Sequence, residues 1–191
     1  YILGESVFNG SKYNISPGVL IPRPETEELV HHSINVIDTI LNTNQCLRVF
    51  ECGVGSGVIS IELAKAFPEL TFLGWDISSH AIQLAHQNML LHNVLNIQLI
   101  ENDFFQNCDE YILSDQMTLL VSNPPYISID DYEALDLNVK MEPKDALVAD
   151  NKGLKIIFKL IDFAVKNNII LICEIGYNQS SLIRQAYNQL T

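Results

Sequence analysis

The chain has 191 residues, 48% of them hydrophobic, a size and apolar content that suit one domain around a single core. Its 23 acidic and 11 basic side chains give a formal net charge of -12, with Lys and Arg scattered as singles and pairs, so it has no overall attraction to phosphate backbones or anionic membranes. The 4 cysteines stand at wide spacings without a C-x-x-C pair, and no apolar run reaches about 18 residues, which argues against a zinc site, a disulfide framework and a membrane span.

Residues 1–19 alternate loosely, and Asn9-Gly10 between Val7-Phe8 and residues 13–15 predicts a short hairpin or extended arm. Next comes Leu20-Ile21-Pro22-Arg23-Pro24-Glu25-Thr26-Glu27-Glu28. Its prolines hold Arg23 extended, and its acids load the first turn of a helix, where they suit the helix dipole. Leu29, Val30, Ser33, Ile34, Ile37, Ile40 and Leu41 continue that helix with one apolar face.

From Leu47 the pattern becomes an alternation of strands and helices. Strands are predicted over 47–51, 70–75, 97–100, 117–121 and 169–175, and helices over 58–67, behind Ser78-Ser79, over 153–166 and over 178–190. Residues 127–151 are rich in Asp, Glu and Pro without a clean period, and read as a long loop or insertion over the site. The alternation implies an α/β fold, Rossmann-like, with a mostly parallel doubly wound sheet and helices on both faces. Residues 1–45 are expected to form a hairpin arm and helix packed on a domain of residues 46–191. The chain starts at Tyr1 without a Met, so it is expected to be a piece of a longer protein, truncated at both ends.

Three strand ends carry the chemistry. Glu51-Cys52-Gly53-Val54-Gly55-Ser56-Gly57 follows a strand and opens a helix, so glycines let a ligand approach backbone N–H groups at a helix N-terminus. The spacing G-x-G-x-G departs from the dinucleotide fingerprint, because Val58 stands where the third glycine belongs. The acid ahead of it, Glu51, suits an ammonium and a sulfonium better than a pyrophosphate. Asp76, about twenty residues beyond the loop, can accept both hydroxyls of a ribose. Asp103 with Phe104 offers an acceptor for an adenine amino group and an apolar wall for its ring. Together these acids and the glycine loop read as a site for S-adenosyl-L-methionine.

The fourth strand ends in Asn123-Pro124-Pro125-Tyr126. The prolines stop the strand and keep Asn123 extended, presenting one carboxamide, carbonyls without competing N–H groups, and a flat ring. Such a loop suits a planar NH-bearing substrate, an amide or an amino-purine. Asn123 and the Pro124 carbonyl would accept its two N–H bonds and aim its nitrogen at the methyl group, while Tyr126 packs against its flat face. The histidines lie on predicted helices away from this loop and are not expected to take part.

With these residues in view, the chain resembles the HemK/PrmC-like family of protein-(glutamine-N5) methyltransferases over nearly its whole length. The resemblance rests on the Leu20 to Glu27 segment, the cofactor loop from Glu51 to Gly57, the Asn-Pro-Pro-Tyr loop, and Glu142-Pro143 with Ala146-Leu147. Asn-Pro-Pro-Tyr alone is shared with DNA and RNA amino-methyltransferases, so the Pro-Arg-Pro-Glu-Thr-Glu segment decides the family. The resemblance implies methylation of the glutamine in the Gly-Gly-Gln motif of class 1 peptide chain release factors, which promotes translation termination and leaves S-adenosyl-L-homocysteine. It implies cofactor binding by Gly53, Val54, Gly55, Ser56, Gly57, Asp76, Phe104 and Asn123, and glutamine binding by Asn123, Pro124, Pro125 and Tyr126. Phe104 stands where bacterial relatives can carry Trp. By the same resemblance, the given sequence is expected to be a piece without the family's N-terminal helical domain and the final strand pair of the sheet.

Two other readings stand beside this one. The same loop serves nucleic-acid amino-methyltransferases, such as adenine N6 enzymes acting on an extruded base, which the net charge disfavours. A non-catalytic scaffold is the other, and the intact Glu51, Asp76 and Asn123 speak against it. The expectation is a cytoplasmic monomer with reduced cysteines, a protein substrate and no metal.

Overall fold

The computed structural model describes residues 3–188. Strands β1 (Glu5–Phe8) and β2 (Ser11–Asn14) form an antiparallel hairpin in which Phe8 faces Ser11. Its turn residues Asn9 and Gly10 have φ of 47° and 73°, the pair of positive values that a type I′ turn requires and that Asn-Gly tolerates best. Helix α1 (Thr26–Leu41) follows, with Glu27 and Glu28 in its first turn and Leu29, Val30, Ile37 and Ile40 buried on one face.

The main sheet holds β3 (Leu47–Cys52), β4 (Phe72–Asp76), β5 (Ile97–Glu101), β6 (Met117–Ser122) and β7 (Ile170–Cys173), in the order β5-β4-β3-β6-β7. Every neighbouring pair is parallel. Its crossovers include α2 (Val58–Ala66), α3 (Ser79–Leu91), α4 (Phe104–Asn107) and, after two short helices α5 (Ile129–Glu133) and α6 (Leu137–Lys140), α7 (Lys155–Asn167); α8 (Ser180–Ala186) closes the described chain. Because side chains alternate along a strand, each strand feeds two cores. Val49, Leu119 and Val121 join Phe8, Tyr13 and the apolar faces of α1 and α2 on one side. Phe50, Leu120, Leu73 and Trp75 join Phe104, Leu160 and Phe163 on the other. The sheet is therefore covered on both faces, as the alternation of strands and helices implies.

Three boundaries differ from expectation. Residues 127–151 hold α5, α6, a 3-10 turn at Lys144–Ala146 and a parallel bridge between Ile127 and Val148. Neither α5 nor α6 buries a residue, so neither leaves an apolar period in the sequence. Strand β7 is four residues long, shorter than its apolar run. The last helix also spans less than expected, and positions 189–190 of that expectation lie outside the described residues. No helix among the described residues is long and apolar enough to cross a membrane.

After β5 at one edge, the chain returns to place β6 on the other side of β3. The crossovers diverge there, and open α/β sheets bind ligands at that switch point, beyond the carboxyl ends of the strands.

Candidate active site

A cavity of about 490 Å³ lies at those strand ends. Its glycine-loop wall is stitched to the sheet, since the Gly53 and Val54 N–H groups both donate to the Trp75 carbonyl, at 2.8 and 3.0 Å. Gly57 caps α2 with φ of 85°, and a Cβ there would stand 3.1 Å from the Ala85 Cβ. A side chain at this position meets both backbone strain and α3, so glycine is what lets α2 start against α3.

Asp76 braces the same wall. Its carboxylate accepts from the Gly55 N–H and from the Ser78 N–H, each at 2.9 Å, tying the glycine loop to the start of α3. Each oxygen keeps a lone pair for a ligand, and the residue lines the cavity. Asp103 caps α4 by accepting from the Phe105 N–H at 3.0 Å and lines the cavity as well. Phe104 stands at the cavity but is 2% exposed, its ring edge-on to Trp75, Phe105 and Phe163.

Glu51 lies beneath the loop, 2% exposed. One carboxylate oxygen accepts from the Ser60 N–H at 3.0 Å and from the Ser60 hydroxyl, whereas Oε1 is buried without a partner. Burial raises the carboxyl from its ordinary range to about 8, against the lowering pull of the Ser60 bonds and with added repulsion from Asp76. A buried acceptor with no donor fits a ligand that brings a cation, as the ammonium of S-adenosyl-L-methionine does.

Opposite the glycine loop, Asn123 follows β6, whose end is clamped to β3 by a 2.7 Å bond from the Ser122 hydroxyl to the Cys52 carbonyl. The Asn123 Nδ2 donates to the Thr26 hydroxyl at 3.0 Å, and Thr26 donates to Glu174 Oε2 at 2.9 Å. Glu174 Oε1 accepts from the Tyr126 hydroxyl at 2.9 Å, and burial foremost raises the Tyr126 phenol above its ordinary value. The Tyr126 carbonyl accepts from Gln179 Nε2 at 2.8 Å. From the proline-acid segment, Arg23 lines the cavity and pairs with the buried Glu142 at 2.6 Å, while Glu142 also accepts from the Ile21 N–H at 3.1 Å. Pro143, Asp145 and Ala146 close that side, so the 127–151 segment does reach over the site.

Of the residues singled out in the sequence, Gly53, Val54, Gly55, Ser56, Asp76, Asp103, Phe104, Asn123 and Pro125 line this one cavity. Glu51, Gly57, Pro124 and Tyr126 do not line it. Glu51 is buried, Gly57 packs on α3, Pro124 is buried, and Tyr126 is held on Glu174 and Gln179. Sequence reasoning passed over Thr26, Glu174, Lys159 and Ile77, of which Thr26, Lys159 and Ile77 line the cavity. Ile77, 73% exposed beside Asp76, was visible as an apolar residue just past a strand end. Thr26 and Glu174 are 148 positions apart and leave no local pattern.

The methyltransferase small domain family model matches residues 32–142. The chain is 41% identical over 184 residues to a release factor glutamine methyltransferase of Fusobacterium nucleatum subsp. nucleatum, covering 94% of this chain and 50% of the relative. It is 37% identical to the release factor glutamine methyltransferase of Lactococcus lactis subsp. lactis, with 99% of this chain and 67% of the relative covered. The chain thus spans half to two thirds of the length of these relatives. Among solved structures, the hMettl16 catalytic domain in complex with an RNA hairpin superposes with a TM-score of 0.68 at 15% identity, over 94% of this chain and 66% of that one, which shows a shared fold. Sequence likeness over nearly every residue, on a parallel sheet with the glycine loop and the Asn-Pro-Pro-Tyr loop at one cavity, places the chain in the release factor glutamine methyltransferase family, within the methyltransferase small domain.

Proposed function

We propose that this chain forms the cofactor- and glutamine-binding part of an enzyme that methylates the side-chain amide nitrogen of the glutamine in the Gly-Gly-Gln motif of class 1 release factors. The observation that carries this reading is the meeting of the Asn123 carboxamide and the glycine loop at one cavity. Bound S-adenosyl-L-methionine supplies an electrophilic methyl group. Asp76 would accept from its ribose and Asp103 and Phe104 would border its adenine, while Glu51, beneath the glycine loop and outside the cavity lining, would answer its ammonium only from below, through the unpartnered Oε1.

An amide nitrogen is a poor nucleophile because its lone pair is delocalised into the carbonyl. Asn123 Oδ1, at the cavity, would accept one of its N–H bonds, and a carbonyl of the Asn-Pro-Pro-Tyr loop, whose Pro125 lines the cavity, would accept the other; together they would aim the nitrogen and stabilise the positive charge that grows on it as the new bond forms. No strong base is needed beforehand, because the proton becomes acidic only after transfer. Ile77 and Pro125 add apolar wall to the cavity.

The test is a transfer assay with labelled S-adenosyl-L-methionine, offered a class 1 release factor, its Gly-Gly-Gln variant with Gln replaced by Ala, and a structured RNA. Label on the unaltered factor alone is expected. Label on the Ala variant or on the RNA overturns the glutamine reading.

A further inference from the structure

Asn123 has two ends of nearly the same shape, one an acceptor and one a donor, and only the acceptor can hold a substrate N–H. Hydrogen-bond valence decides which end faces which partner. The Glu174 carboxylate can only accept. It therefore takes the Thr26 hydroxyl proton at 2.9 Å, and the Tyr126 hydroxyl proton at 2.9 Å through its other oxygen. With its proton committed, the Thr26 oxygen facing Asn123 at 3.0 Å can only accept, so the Asn123 group turned toward it is the NH2. Oδ1 is left for the cavity, and no bond among the described residues engages it. Thr26 is 2% exposed, which shields the pair from water. Glu174 is itself held in place by a 3.0 Å bond from its N–H to the Ser122 carbonyl, the residue just before Asn123.

We infer that Glu174 and Thr26 form a directional relay that fixes the Asn123 carboxamide with its oxygen toward the cavity, making both of them positioning residues that select an N–H-bearing substrate. Without the relay the Thr26 hydroxyl is free to donate, Asn123 can turn over, and its NH2 then opposes the substrate NH2. The relay joins the proline-acid segment, the Asn-Pro-Pro-Tyr loop and the end of β7, three stretches far apart in sequence.

The activity arm of the test rests on the proposed function; a second arm does not. In the full-length protein, Thr26→Val and Glu174→Leu are expected to lower kcat on the release factor by roughly 10²-fold, the scale of losing one preorganised hydrogen bond at a reacting centre. Cofactor Kd should stay within about threefold, since only the transition state is affected. Thr26→Ser, which keeps the hydroxyl, should retain most of the rate, whereas Glu174→Gln, which replaces one of the two acceptors with a donor, should fall between the wild type and Glu174→Leu. A merely structural role would lower thermal stability and cofactor affinity along with the rate, and would not follow this chemical order. In the second arm, NMR of the protein without substrate should show slowly exchanging Asn123 side-chain N–H protons close to the Thr26 methyl, with fast exchange in Glu174→Leu. Wild-type kcat in Thr26→Val, or unchanged Asn123 exchange in Glu174→Leu, overturns the relay. A wild-type protein inactive on the release factor overturns the functional reading instead, and the NMR arm still decides the relay.

Discussion

On the proposed function Asn123 serves the chemistry and Glu51 the binding, and each makes a separable prediction. If Asn123 meets the substrate nitrogen most strongly once charge has grown there, Asn123→Ala should reduce turnover by roughly 10²-fold or more while cofactor affinity stays within about tenfold. Equal losses in a titration and a rate assay would show that it serves binding alone. Glu51 makes the opposite kind of prediction. Its carboxyl sits at about 8 because burial raises it, so the unliganded fold keeps a proton that the unfolded chain has lost. That proton-linked stability is fully present at low pH and is lost as pH rises through about 8. Binding a cationic ligand requires the carboxylate, so cofactor uptake near neutrality should release close to one proton, and affinity should weaken by up to about tenfold per pH unit below that value. Calorimetry in two buffers of different ionisation enthalpy reads the release directly, and Glu51→Gln should abolish it. A wild-type titration without proton release would remove Glu51 from the ammonium.

The hairpin of β1 and β2 shows which contacts between elements matter. Tyr13 and Asn9 both donate to Glu62 on α2, and their bonds with that of Lys65 bring the Glu62 carboxyl below its ordinary value although burial alone would raise it. Asn88 of α3, fully buried, accepts from the Asn14 N–H at 2.8 Å and donates to the carbonyls of Asn14 and of Ser56, at 3.0 and 2.8 Å. One side chain thus fastens both the arm and the glycine loop. Asn88→Ala strips three bonds and leaves buried groups unpaired, at a cost of about 2–4 kcal/mol. For a chain of this size that is a drop of roughly 5–10 °C in Tm, and cofactor affinity should fall with it. The 2.7 Å pair of Lys12 with Glu5 is short but exposed, so Glu5→Ala should cost less than about 0.5 kcal/mol. Similar melting temperatures for the two variants would mean that the arm is not fastened through Asn88. These elements also show what a sequence discloses. The hairpin turn was legible because Asn9-Gly10 matches one backbone geometry, and α1 because its buried positions repeat with the helix. Helices α5 and α6 were not, because they bury nothing, and α4 was hidden behind the cap that Asp103 supplies.

Across the whole molecule, the glycine-loop wall of the cavity was legible and the support behind the Asn-Pro-Pro-Tyr loop was not. Gly53, Gly55 and Asp76 sit at strand ends where local pattern and topology agree, whereas Thr26, Glu174 and Gln179 act through bonds between distant segments that no window of sequence contains. Charge is the remaining whole-molecule property, and it separates the protein substrate from the nucleic-acid alternative. The fold is shared with an RNA-bound catalytic domain, but shared folds host different substrates. Binding to a phosphate backbone draws its free energy from counterions displaced by Lys and Arg. Here the net charge is -12, and of the two cations at the cavity mouth, Arg23 is paired with Glu142 and Lys159 stands over the Phe105 ring, with Asp76, Asp103 and Asp145 nearby. A structured RNA hairpin should therefore show no binding tighter than about 100 µM even at about 50 mM salt, where phosphate contacts are strongest. Filter binding across a salt series checks this. Micromolar retention that falls steeply with salt would reveal several phosphate contacts and turn the substrate assignment toward nucleic acid, whereas flat, weak signal across the series leaves a protein amide as the group that Asn123 receives.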